Sequence, residues 1–95
     1  MKENELYEKA IKKWGVDAQI NMAIEEMAEL IQALVKQGRA VNGCTKGEVM
    51  EEIIDVEIML EQLKLIFFPN KSDLDFYDFF RRQKLLRLEK LLEAI

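Results

Sequence analysis

The stretch EEIIDVEIMLEQL, residues 51–63, decides the fold of this chain, together with a similar stretch, AIEEMAELIQALVK, residues 23–36. In both stretches apolar residues recur at the three-to-four spacing of an α-helix. The same spacing continues over most of the sequence, where glycines are few and Pro69 is the only proline. The pattern therefore predicts an all-α protein, an antiparallel bundle of about four helices.

Local signals predict the ends of the first two helices. A first short helix is expected over about residues 4–13, ending before Gly15. A second helix is expected from Asp17, a residue type that caps helices well, to Gln37.

The third and fourth helices are predicted from capping patterns. Thr45 and Glu48 have the T-x-x-E spacing of a capping box, so a helix is expected to begin there and to end near Phe68, before a proline. A similar spacing over 72–75 predicts a fourth helical region that reaches Ile95.

Length and composition bound the organisation of the chain. With 95 residues, of which 49% are hydrophobic, it is expected to form one domain over 1–95. The apolar surface of its helices exceeds what one thin helical layer can hide. We therefore expect self-association, as a homodimer or a homotetramer, to complete the bundle.

Charge and residue usage exclude several classes of function. The net charge is −4 and the 14 basic residues are scattered, which disfavours a polymeric nucleic acid as partner. A single cysteine, Cys44, forms no internal disulfide, and the amino-terminal residues lack the apolar core of a secretory signal. The longest uninterrupted apolar run, LIFF, is too short to cross a membrane. A cytoplasmic protein is expected.

Acidic residues occupy positions where the helical pattern calls for apolar ones. At about 100° per residue, Glu52 falls in the middle of the apolar stripe of the third helix, with Asp55 one turn further on. Glu26 falls on the border of the apolar face of the second helix, and Glu29 lies ~60° from Glu26. None of the four has Lys or Arg three or four residues away. A buried carboxylate needs a partner, a proton or a metal ion, so positive charge must come from elsewhere.

The types of ligand available indicate which metal ion would suit these acids. The chain has no histidine and one cysteine, so the candidate ligands are hard carboxylate oxygens. Such ligands favour Mg²⁺, with Mn²⁺ as a substitute, over a zinc site or a di-iron bundle. Because Mg²⁺ usually keeps room for substrate phosphates, an acidic site of this kind predicts a phosphorylated ligand.

The two acidic stretches also carry a family resemblance. EEMAE, residues 25–29, followed by EIID, residues 52–55, resembles the EExxE…ExxD signature of the MazG-like all-α nucleoside triphosphate pyrophosphohydrolases. The resemblance covers chiefly residues 17–68. It implies Mg²⁺ binding by four residues: Glu26, Glu29, Glu52 and Asp55. It also implies catalytic roles for Glu29 and for Glu25, the latter as a further ligand or as the base that orients water.

The implied reaction is hydrolysis of a nucleoside triphosphate to a monophosphate and pyrophosphate by attack of water at the α-phosphorus. Members of the family resemble one another in framing each site with helices from two protomers. Candidates for substrate contacts are one aromatic and three basic residues: Trp14, Lys36, Arg81 and Lys84. Each of these has a simpler interpretation as packing or as solvated surface.

Three alternatives stay open at the level of sequence. The four acids could form interhelical salt bridges instead of a metal site. The chain could be a non-enzymatic helical dimer, a regulatory or interaction module whose acids bind a basic partner. Within the same superfamily, it could be a phosphoribosyl-ATP pyrophosphohydrolase, which uses the same metal chemistry on a different nucleotide.

Overall fold

The computed structural model describes residues 1–94 and confirms an all-α fold. Its four helices are α1 (Glu3–Trp14), α2 (Val16–Lys36), α3 (Lys46–Phe67) and α4 (Lys71–Glu93), with no strand among the residues described. Helices α1, α2 and α3 pack together, with α2 and α3 as the closest pair. Ile95, the predicted end of the last helix, lies outside the described residues.

A single glycine joins α1 to α2. Gly15 ends α1 by donating its N–H to the carbonyl of Ile11, and its own carbonyl accepts from the N–H of Gln19 in α2. Its φ of +94° lies in the left-handed region that favours glycine. The prediction of an N-cap at Asp17 is therefore wrong: Gly15 is the cap, and Asp17 lies in the first turn of α2.

Side-chain caps begin the other two long helices. The hydroxyl of Thr45 accepts a hydrogen bond from the N–H of Glu48, as the capping-box spacing predicted. At α4 the prediction was two residues too late, because Asn70 is the cap and its side-chain oxygen accepts from the N–H of Asp73. Ser72 instead donates its hydroxyl to the same oxygen of Asn70.

The core is a narrow seam between α2 and α3, which run antiparallel on either side of a short loop. The buried apolar residues are Ala23 and Ala33 of α2 and Val56 and Met59 of α3. Two small side chains on α2 allow the helices to approach closely, since an alanine adds little thickness between the axes. The close approach brings opposite polar side chains on the two helices within reach of each other.

Helix α4 packs on the rest of the chain only near its beginning. Tyr77 stacks at 5.9 Å from the ring of Phe68, and the Nζ of Lys64 lies 4.9 Å from the centre of the Tyr77 ring. No residue of Lys71–Glu93 is buried. The chain is accordingly broad and thin, with extents of 46 × 43 × 24 Å. Among residues 1–94, none of the helices combines the length and the apolar content needed to span a bilayer.

Candidate metal centre

Three carboxylates meet at the seam between α2 and α3. Glu26 comes from α2, and Glu52 and Asp55 come from α3. One oxygen from each lies within 4.8 Å of the others. The acids of the two stretches, which are far apart in sequence, are thus brought together by the antiparallel helix pair, as the periodicity predicted.

Two of these oxygens are buried without a partner. The Oε2 atoms of Glu26 and Glu52 are shielded from solvent and accept no hydrogen bond. A buried carboxylate oxygen without a partner is costly unless it is protonated or binds a cation. Asp55 is exposed, which leaves one side of the cluster open to a ligand from solvent.

The spacing of the oxygens suits a small divalent cation. Around Mg²⁺, with oxygen ligands at about 2.1 Å, neighbouring ligand atoms lie about 3 Å apart and opposite ones about 4.2 Å apart. The oxygens of the cluster lie within 4.8 Å of one another, which is close to this range. An all-carboxylate donor set is also the one that Mg²⁺ and Mn²⁺ prefer. The residues therefore fit the expected ion.

The pKa values of two carboxylates in the cluster are raised. Burial is the largest cause that raises the pKa of Glu26 above its ordinary value. The charges of three neighbouring carboxylates raise this pKa further: Glu29, Asp55 and Glu52. The pKa of Glu52 is also raised, first by burial and then by Glu29 and Asp55. Both residues thus resist ionisation in the folded chain, and a bound cation offsets the same repulsion without a proton.

No basic side chain of the described chain neutralises the cluster. The ion pairs within residues 1–94 join Lys64 to Glu61 and Lys71 to Asp75, and both lie outside it. The interhelical salt bridges that would explain these acids without a metal are therefore not formed within one chain.

The remaining acids of the predicted site lie at its edge. Glu29 is exposed, but it is close enough to raise the pKa of both Glu26 and Glu52. Glu25 is exposed on α2 and belongs to no group of converging carboxylates among the residues described. Glu29 is thus placed to interact with a ligand of the cluster, whereas Glu25 lies about 100° from Glu26 around the axis of α2.

The four candidate substrate contacts are spread over three helices. Trp14 and Arg81 line a groove between α1, α3 and α4, and Trp14 carries the ammonium of Lys13 at 5.4 Å from its ring centre. Lys36 ends α2, and Lys84 is exposed on α4. Lys36 and Lys84 are not part of the groove that Trp14 and Arg81 line.

Sequence reasoning missed a polar pair that fixes the seam. The side-chain amide of Gln19 donates to the side-chain oxygen of Gln62 at 2.6 Å, and both residues are buried. The available signal was that each glutamine falls on the apolar side of its helix. Their pairing across 43 residues is a tertiary contact that local spacing does not reveal.

Cys44 lies in the loop just before the N-terminus of α3, and its thiol is not activated. Burial, followed by the neighbouring carboxylate of Glu48, raises the pKa of its thiol above the ordinary value. A thiol that resists ionisation is a poor nucleophile and a poor metal ligand. It remains an incidental thiol of the loop before α3.

Comparison of the chain with models of known protein families, with curated proteins and with solved structures found no match.

Proposed function

We propose that this protein is a Mg²⁺-dependent nucleoside triphosphate pyrophosphohydrolase, similar to the MazG-like all-α enzymes. One observation carries the proposal: Glu26, Glu52 and Asp55 converge within 4.8 Å, and two of their oxygens are buried without any partner. These residues belong to the two halves of the EExxE…ExxD pattern. Acids from both halves of the pattern therefore lie close together in the fold.

When bound, Mg²⁺ supplies positive charge that neutralises phosphate oxygens and lowers the pKa of a nearby water. In the proposed reaction, water attacks the α-phosphorus, the bond from that phosphorus to the bridging oxygen breaks, and pyrophosphate leaves. The proton of the attacking water passes to a carboxylate of this chain. Glu29 suits this step because it adjoins Glu26 and Glu52 yet is exposed, while Glu25 orients the water or adds a further ligand.

Self-association is part of the proposal, as a homodimer or homotetramer. Many large apolar side chains are exposed on the single chain, including Ile31 and Val35 on α2 and Ile54 on α3. The groove that holds Trp14 and Arg81 includes Glu57 and Glu61, which lie about 140° and 180° from Glu52 around the axis of α3. If Arg81 or Lys84 contacts phosphate, it therefore does so at the cluster of a second copy.

The first test is an assay of the purified protein on a panel of ribo- and deoxyribonucleoside triphosphates and phosphoribosyl-ATP, with Mg²⁺, Mn²⁺ or EDTA. Pyrophosphate and orthophosphate are measured separately. We expect metal-dependent release of pyrophosphate and a monophosphate, at a rate that falls by at least about 100-fold in Asp55→Asn. Turnover of phosphoribosyl-ATP alone would place the protein with that branch of the superfamily.

The matched control is Glu8→Gln, which removes an exposed acid of α1 that lies outside both the groove and the cluster. It should leave turnover unchanged. Full activity in Asp55→Asn, or no turnover of any nucleotide together with no Mg²⁺ binding by calorimetry, would reject the enzyme. The second result would favour the interaction module, although its acids should then face solvent, whereas Glu52 is half-buried.

A further inference from the structure

One side of α3 keeps exposed apolar residues in the single chain. α2 covers the side that carries Val56 and Met59, and α1 also packs on α3. About 160° from Val56 around the axis, Ile54 and Ile58 are exposed along the groove between α1, α3 and α4. Apolar residues that share one side of a helix normally pack against another element, so these two form a surface that a partner can cover.

Helix α4 has an apolar side that could cover the exposed apolar residues of α3. Tyr77, Leu85 and Leu88 share one side of α4, within about 80° of arc. Tyr77 forms part of the wall of the groove, while Leu85 and Leu88 continue the same side beyond it and are 49% and 53% exposed. Tyr77 therefore holds the first turns of α4 against the chain. Leu85 and Leu88 lie beyond this contact and stay exposed.

The exposed area indicates how large the missing partner is. A compact monomer of 11.2 kDa is expected to expose about 5,700 Å². The single chain exposes 7890 Å², which is about 2,200 Å² more. A standard interface covers about 800 Å² on each partner, and obligate homodimers cover more. The excess is what one large interface with a second copy would remove.

Charge also favours a second copy as the partner. The groove presents Glu57 and Glu61 among its apolar residues. Residues 81–93 of α4 contain two acids, Glu89 and Glu93. They contain five bases: Arg81, Arg82, Lys84, Arg87 and Lys90. A basic helix with an apolar stripe is complementary to an apolar groove edged by acids.

We propose that two copies of this chain pair by exchanging α4, so that Leu85 and Leu88 of each copy pack over Ile54 and Ile58 of the other. This arrangement contains two identical contacts related by a two-fold axis. It gives the self-association in the proposed function a defined surface, and it holds whether or not the protein hydrolyses nucleotides.

The test measures molar mass by sedimentation without nucleotide or metal, so a failed enzyme assay does not affect it. The wild-type chain should have twice the mass of one copy. Leu88→Asp on α4 and Ile54→Asp in the groove should each weaken the dimer by about 1,000-fold. A central apolar anchor is worth about 30-fold, and the two-fold axis counts it twice. Both side chains are exposed in the single chain, so helicity by circular dichroism should persist.

Leu86→Asp is the matched control, because Leu86 is similarly exposed but lies about 160° from Leu88 around α4. It should remain dimeric. Mixing the two disruptive variants gives the decisive result. The mixed pair keeps one intact contact, from the normal α4 of one copy to the normal groove of the other, and should associate about 30-fold more tightly than either variant alone.

Each other outcome overturns the exchange. Disruption by Leu88→Asp alone would mean that α4 pairs with α4, and disruption by Ile54→Asp alone would mean that the groove faces pair with each other. If both variants lost the dimer and their mixture did not associate more tightly than either alone, a contact between α4 and the groove would be excluded. A wild-type chain that stays monomeric at millimolar concentration would leave the groove to a different protein.

Discussion

Replacing Glu52 with Gln should change the stability of the protein in opposite directions with and without Mg²⁺. In EDTA, the substitution removes a half-buried carboxylate that has an oxygen within 4.8 Å of oxygens from Glu26 and Asp55. The amide has no charge to be repelled, so the melting temperature Tm should rise. In Mg²⁺ the same change removes a ligand, so the variant should gain little from the ion.

The size of the Mg²⁺ effect follows from linkage. At ten times the Kd, a ligand that binds only the folded state stabilises it by about 1.4 kcal/mol. For 95 residues, with an unfolding entropy of about 0.2 kcal/mol/K, this raises Tm by about 7 °C. If the loss of one of three close carboxylates weakens binding by about 100-fold, the shift at the same Mg²⁺ concentration falls below about 1 °C.

The assay is differential scanning fluorimetry of wild type, Glu52→Gln and the control Glu8→Gln, at one protein concentration because assembly also shifts Tm. The control should show the full shift with Mg²⁺. Equal Mg²⁺ shifts in wild type and Glu52→Gln would refute the metal site. A lower Tm for Glu52→Gln in EDTA would also refute the reasoning, since it is what breaking a buried ion pair produces.

Three further predictions concern the seam between α2 and α3. The pKa values of Glu26 and Glu52 are raised in the folded chain, so their protonated forms are favoured there. The Tm of the wild type in EDTA should therefore fall as pH rises from about 4.3 through the raised pKa values. The fall should be smaller in Glu52→Gln. Met59→Ala should cost about 2–5 kcal/mol in urea unfolding, whereas Met50→Ala, at an exposed position of the same helix, should cost less than about 0.5 kcal/mol. Gln62→Leu should cost about 1–3 kcal/mol by leaving the buried amide of Gln19 without its partner, and the double replacement of both glutamines by Leu should recover most of that loss; equal losses in the single and double variants would contradict this account.

Sequence predicted the features of the fold that depend on neighbouring residues. The cap at Thr45 was correct because its partner lies three residues away. The position of Glu52 on the inner side of α3 was correct because helical periodicity fixes it over a few turns. The start of α2 was misplaced because a glycine with positive φ, Gly15, can end one helix and cap the next without any side chain.

Features that depend on distant residues were not predictable in the same way. The start of α4 was misplaced because three residues over 70–73 can all act as caps, and the geometry of the chain leaving α3 decides among them. The limited packing of α4 on its own chain was also not visible, since its sequence has the apolar stripe of a packed helix. A sequence pattern shows that a helix needs a partner but does not show whether the same copy supplies it.

The register of the seam explains how acids that repel one another are held together. Glu26 lies seven residues after Gln19 on α2, and Asp55 lies seven residues before Gln62 on α3. In an antiparallel pair both steps measure about 10.5 Å along the axes, so the hydrogen bond between the two glutamines sets Glu26 opposite Asp55. One turn before Glu26, the small side chain of Ala23 is almost completely buried. Neutral side chains thus hold together carboxylates that would separate on their own.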